Sequence, residues 1–188
     1  GAWLSADAGL FVGGALAVAV SPTDANHLLY ATDTRLLRSR NGGRDWVQEA
    51  PEIFFGPTLA VAFDSTGNRA WAATASGVYV SDNGNGWRKS AAPEQATPGR
   101  ALLMGAQPGR VYLLGARGVY ASTDAGATFV RVGKEELPDG NPQALAVSLA
   151  GGEINAYKPE PEIFFHACRR VEVTPGQAAY VGDSYFAD

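Results

Sequence analysis

The chain has 188 residues, 46% of them hydrophobic, so it can bury a core and is not a disordered segment. Its net charge of −4, without a long run of one sign, argues against a nucleic-acid or anionic-membrane partner. The single cysteine, Cys168, excludes an intrachain disulfide and a cysteine zinc cluster, and the longest apolar stretch, Leu10 to Val20, carries two glycines and is too short to span a bilayer.

Residue 1 is Gly and not Met, so a truncated or processed N-terminus is expected, and the compartment stays open. In chain order, Ser5-Ala6-Asp7-Ala8-Gly9 is a degenerate first copy of a turn that recurs. Residues 16–20, 27–32 and 35–40 then read as strands, each β-branched or aromatic and bounded by Gly, Asn, Asp or Pro. The turn Ser39-Arg40-Asn41-Gly42-Gly43-Arg44-Asp45-Trp46 follows, with a fourth strand over 46–50. The second unit repeats this order: strands at 58–64, 69–74 and 77–82, a turn one residue shorter, Ser81-Asp82-Asn83-Gly84-Asn85-Gly86-Trp87, and a strand at 86–91. The third has strands at 101–106, 110–116 and 118–123, the turn Ser122-Thr123-Asp124-Ala125-Gly126-Ala127-Thr128-Phe129, and a strand at 128–133. The equivalent glycines, Gly43, Gly84 and Gly126, lie 41 and 42 residues apart, and a fixed period of this size marks a repeat architecture.

The turn has its own physical logic. The Asp or Asn after the Ser can bond backbone amides of its own turn, the Gly supplies a positive φ, and the closing Trp or Phe packs between units. Ser39, Asn41, Gly43, Trp46, Ser81, Asp82, Gly84, Trp87, Ser122, Asp124, Gly126, Thr128 and Phe129 are therefore read as structural. Each turn offers one carboxylate or amide, whereas calcium takes six to eight oxygens, so no metal is expected here.

This pattern resembles the Asp-box, or BNR, repeat of β-propellers, a group that includes sialidases, sortilin ectodomains, some endoglucanases and photosystem II assembly factors. The resemblance covers residues 1–157 and implies an all-β propeller of four-stranded blades: three full blades with partial ones on either side, the later partial blade over residues 143–157. Propellers close with four to eight blades, so further blades or a second chain are expected to complete the ring. A sialidase-like site would need an arginine triad and an Arg-Ile-Pro segment. None is found; the arginines over 35–44 read as an exposed strand and turn. Asp7, Asp33 and Glu94 are candidate glycosidase acids, but nothing in the sequence pairs them.

After Tyr157 the pattern changes. Pro159 and Pro161 can open a helix over which Ile163, Phe164, Ala167 and Val171 fall at helical spacing, and residues 178–181 form a short strand. His166 and Cys168 in that helix read as packed side chains with no activating partner. Lys158-Pro159-Glu160-Pro161-Glu162-Ile163-Phe164 and Val181-Gly182-Asp183-Ser184-Tyr185-Phe186-Ala187-Asp188 closely resemble the third and fourth motifs of haloacid dehalogenase (HAD) superfamily hydrolases. The resemblance implies that Lys158 neutralises a substrate phosphate and that Asp183 and Asp188 hold Mg²⁺. The Asp-x-Asp nucleophile segment of that family is absent. The nearest stretch, Val61-Ala62-Phe63-Asp64, lacks the second Asp and reads as a repeat hairpin, so the 158–188 tail is expected to be catalytically incomplete.

Residues 1–157 are thus expected to form a non-enzymatic binding or assembly module without a cofactor. Its protein or small-molecule partner would meet the inter-blade loops at 54–57 and 93–99. The alternatives are a Mg²⁺-dependent phosphatase of the dehalogenase type, carried by the tail, and a sialidase-like glycosidase. Whether the junction is a natural fusion is left open.

Overall fold

A computed structural model describes residues 14–105 and 109–132, and every structural statement below concerns these. Short apolar runs separated by turn residues fold into three antiparallel sheets of four strands each, joined in sequence order. The first sheet holds β1 (Ala15–Val20), β2 (Leu28–Thr32), β3 (Leu36–Ser39) and β4 (Val47–Gln48). The second holds β5 (Thr58–Phe63), β6 (Arg69–Thr74), β7 (Val78–Asp82) and β8 (Arg88–Lys89). The third holds β9 (Ala101–Met104), β10 (Val111–Gly115), β11 (Gly118–Ser122) and β12 (Val130–Val132). First strands lie side by side, β1 against β5 and β5 against β9. This is an all-β, partial propeller, with the first strand of each blade innermost.

The period-two alternation of a strand explains how the blades stack. On β5, Val61 and Phe63 pack toward the first sheet, while Ala60 and Ala62 pack toward the third. On β6, Ala70 and Ala72 face the first sheet, and Trp71 and Ala73 face the third. The first seam closes with Leu29, Ala31, Leu36 and the connector residue Phe54, the second with Leu102, Val111, Leu113, Tyr120 and Phe129. Strands β5, β6 and β7 of the middle sheet are thus packed on both faces, while β8 stays exposed. β1 sends Ala17 and Ala19 into the first seam. Its alternate residues Leu16, Val18 and Val20 are exposed. Val18 pairs with Tyr30 as Val61 pairs with Ala72, so the two valines occupy one position of the repeat.

Two differences from the sequence reading have physical causes. The fourth strands are two or three residues long, shorter than expected. In the second sheet this is because Ala91 leaves its own sheet and forms a parallel bridge to Thr128 in the next blade. Short outer strands also limit the unpaired backbone edge. The 93–99 connector is not plain loop: Glu94–Ala96 is a 3₁₀ turn, followed by a cis Thr97–Pro98 bond. The expected partial blades at 5–9 and 143–157 and the helix–strand tail lie outside the described residues.

The seams yield a paired test. Val61→Asp should destabilise by about 3 kcal/mol, because it places a carboxylate in a sealed seam. Val18→Asp, at the same repeat position but 61% exposed, should change stability by less than about 0.5 kcal/mol. Urea midpoints of the two variants decide the matter.

Candidate functional site

Antiparallel order sends the loops of each blade to two opposite ends. The loops between first and second strands and the Ser–Asp turns share one end, where the amides of Gly42, Asn83 and Ala125 donate to the carbonyls of Asn26, Asn68 and Gly109. Each of these three turn residues has a positive φ and is followed by a glycine that has one too.

At this end the first and third turns are built alike. Ser122 Oγ donates to Asp124 Oδ1 (2.7 Å) and accepts from the amide of Gly126 (2.7 Å). Asp124 accepts from the amide of Thr128 (2.9 Å) and from its hydroxyl (2.6 Å). The Thr128 hydroxyl and amide, with Ser122, hold the Asp124 carboxyl down at about 2. In the first turn, Ser39 Oγ donates to Asn41 Oδ1 (3.0 Å) and accepts from the amide of Gly43 (2.8 Å). Asn41 accepts from the amide of Asp45 (2.9 Å). The shorter second turn is different. Ser81 Oγ is buried without a hydrogen-bond partner, and Asp82 turns to Arg69 and Arg88 instead of to backbone amides. One missing residue moves the carboxylate out of reach of its own turn. Gly84 lies under Arg40, where a Cβ would meet Nη2 at 2.7 Å.

The closing aromatics divide between the seams. Phe129 is buried in the second seam, and Trp87 packs edge-on against Phe54 at 5.1 Å in the first. Trp46 stays on its own sheet, 5.6 Å from Tyr30. The third turn also docks on the preceding blade: Trp71 Nε1 donates to the carbonyl of Ala125 (3.2 Å), and Ser90 Oγ donates to that of Gly126 and lies 3.2 Å from that of Ala127.

The opposite end carries the hairpins between second and third strands and both inter-blade connectors. Thr32 Oγ1 accepts from the amides of Thr34 and Arg35, and Thr74 Oγ1 accepts from those of Ser76 and Gly77, so each staples its hairpin. The third blade has Gly115 at this position. A Cβ there would meet the carbonyl oxygen of Ala96 at 2.7 Å, so the 3₁₀ turn displaces the staple. Phe55, on the first connector, is 79% exposed. The second connector forms an open cleft of about 350 Å³, lined by Glu94, Gln95 and Thr97 with Arg117 from the third hairpin. Asp33 and Glu94 are exposed at this end. Among the described residues no group of three or more His, Cys, Asp or Glu could hold a metal ion. Lys158, Asp183, Asp188, His166, Cys168 and Asp7 lie outside the described residues.

Sequence reasoning missed a polar network in the first seam. Arg38 is buried and grips Glu49 with two parallel bonds, Nε to Oε1 (2.8 Å) and Nη2 to Oε2 (2.9 Å). Trp87 Nε1 donates to Glu49 Oε2 (2.7 Å), and Arg38 Nη1 lies 2.6 Å from His27 Nε2. The Arg38 pairing and the Trp87 bond outweigh burial and hold the Glu49 carboxyl below its usual range. The repeat gave no signal for this set. Val80 pairs with Trp71 as Arg38 pairs with Leu29, and Ser90 bonds Val78 as Glu49 bonds Leu36, so later blades put different chemistry at these positions.

Sheets of this order, stacked through their inner strands, define a β-propeller. The chain belongs to the DUF6242 beta propeller domain family, whose sequence model matches residues 12–154. No curated protein matches it. Among solved structures, YCF48 from Cyanidioschyzon merolae is similar at 23% identity and a TM-score of 0.56, over 69% of this chain and 40% of that one. An ancestral GH74 enzyme is similar at 24% identity and a TM-score of 0.55, over 68% of this chain and 20% of that one. YCF48 bound to D1 peptide is similar at 17% identity and a TM-score of 0.55, over 66% and 41%. These likenesses show the fold, and the chain spans two-fifths or less of each of the first two structures' lengths.

The turns predict opposite outcomes for one substitution. Ser122→Ala removes the acceptor of the buried Gly126 amide and should cost about 1–3 kcal/mol. Ser81→Ala removes an unpartnered hydroxyl and should be neutral or mildly stabilising. Thermal unfolding of both variants beside the parent chain separates them.

Proposed function

We propose that the chain is a non-catalytic binding module of the Asp-box propeller type that takes a protein segment at its connector end. The observation that carries this reading is the exposed ring of Phe55 on one connector, at the same end as the cleft formed by the next connector. An exposed aromatic on the same end as hydrogen-bonding side chains is the kind of composition that interaction hot spots use. Glu94, Gln95, Thr97 and Arg117 offer donors and acceptors for the main chain of an extended segment. A propeller of the same fold, YCF48, has a structure with a bound peptide, which supports a peptide as the class of partner. On this reading the Ser–Asp turns are structural, no cofactor is used, and blades beyond the three described complete the ring.

Panning a random peptide library on the folded chain tests the proposal. Peptides should be enriched, and the combined variant Phe55→Ala, Gln95→Ala, Arg117→Ala should bind them at least tenfold more weakly. No enrichment, or equal binding by the variant, overturns it.

A second reading rests on the motif pair at Lys158 and at Asp183 with Asp188, which resembles the dehalogenase-type hydrolases. These side chains would balance a phosphate and hold Mg²⁺, which would supply charge neutralisation. That reading expects Mg²⁺-dependent phosphate release from a generic phosphomonoester, lost in Asp183→Asn. Release no greater than the blank removes it.

A further inference from the structure

We propose that the seam between the first and second blades is a proton-operated latch, locked when His27 is neutral and loosened when it takes a second proton. His27 is 7% exposed and sits between the two sheets. Its ring meets Phe63 of β5 edge-on at 4.7 Å, and its backbone is fixed by the Ser21 amide (2.9 Å) and by its own amide to Asp24 (3.0 Å). Arg38 Nη1 lies 2.6 Å from Nε2. A guanidinium has no acceptor, so this bond exists only if Nε2 carries a lone pair and the ring proton is on Nδ1. Protonation turns the contact into donor against donor and cation against cation.

The consequence does not stop at His27. Arg38 is shared: the fork that grips Glu49 belongs to the same guanidinium, and Glu49 in turn holds the Trp87 indole of the second blade. His27, Arg38, Glu49 and Trp87 therefore form one hydrogen-bonded chain across the seam, and repulsion at its first link acts on the whole.

The charged groups acting on His27 are Asp24 in its own loop, Arg38 on β3, Arg40 just beyond β3, and Glu49 just beyond β4. The second blade meets this set with the uncharged Phe63, Gly84 and Trp87. Burial lowers the His27 pKa from 6.5, Arg38 and Arg40 lower it further, and Asp24 and Glu49 oppose them. An unfolded chain titrates His27 at its ordinary value, so it binds the proton first. The latch is therefore fully closed above about pH 6.5 and is lost as pH falls from there through the depressed folded value. Each pKa unit of depression is about a tenfold loss in the folding equilibrium constant. Glu49 stays ionised in this window, because its own pKa is lowered from 4.5.

The test follows the Trp87 indole N–H resonance and the urea midpoint from pH 7.5 to 5 in the full chain, in His27→Gln and in His166→Gln. Glutamine keeps an acceptor oxygen and does not titrate. In the parent and in His166→Gln, the midpoint should fall as pH drops below 6.5 and the Trp87 signal should shift at the lower, folded-state pKa; in His27→Gln both should stay level. The same pH dependence in His27→Gln overturns the latch. Should His27→Gln fail to fold, the His27 ring titration in the parent chain decides: a pKa at or above 6.5 overturns the latch, and a lower one supports it.

Discussion

Double-sided burial of the middle sheet is the constraint on which the rest of the molecule depends. The three inner strands of that sheet, β5, β6 and β7, must divide their side chains between two seams. β5 does so with large residues, Val61 and Phe63, on one side and alanines on the other. β6 reverses the sizes, with alanines toward the first blade and Trp71 toward the third. Each seam is thus filled by bulk from one strand opposite space left by another, as native packing density requires. A one-residue slip in register would exchange the two sets and break both seams at once.

The two seams solve the same geometric problem with different chemistry. In the second, backbone carbonyls of the third turn accept from Ser90 and Trp71. In the first, a buried ion pair takes that place, with Glu49 accepting from Arg38 and Trp87. Neutral hydroxyl-to-carbonyl bonds are indifferent to pH near neutrality, whereas the ion pair couples the first seam to a histidine. Sequence repetition therefore conceals a chemical asymmetry: the blades share a fold but not an interface.

Much of the architecture was legible in the chain. The 41–42 residue spacing and the three turns gave the sheets, their order and the centres of their strands. The ends of the outer strands were not legible, because Ala91 pairs with Thr128 of another blade and local propensity carries no information on a partner so far along the chain. The turn chemistry was legible where the motif was complete, at Ser122 and Asp124. At Ser81 and Asp82 one missing residue redirected the carboxylate to Arg69, a contact set by strand register. The Arg38–Glu49–His27–Trp87 set could not be read from the sequence, since its members are scattered over four segments and, Trp87 apart, do not recur.

The sequence by itself determined the class of fold, because period-two alternation and turn residues are local properties that repeat with the unit. It also marked 54–57 and 93–99 as the connectors. Tertiary structure alone decided which end of the blades those connectors share, which face of β1 stays exposed, and which polar side chains meet across a seam. Those are properties of how sheets stack, and stacking depends on side-chain volume and charge brought together from residues dozens of positions apart.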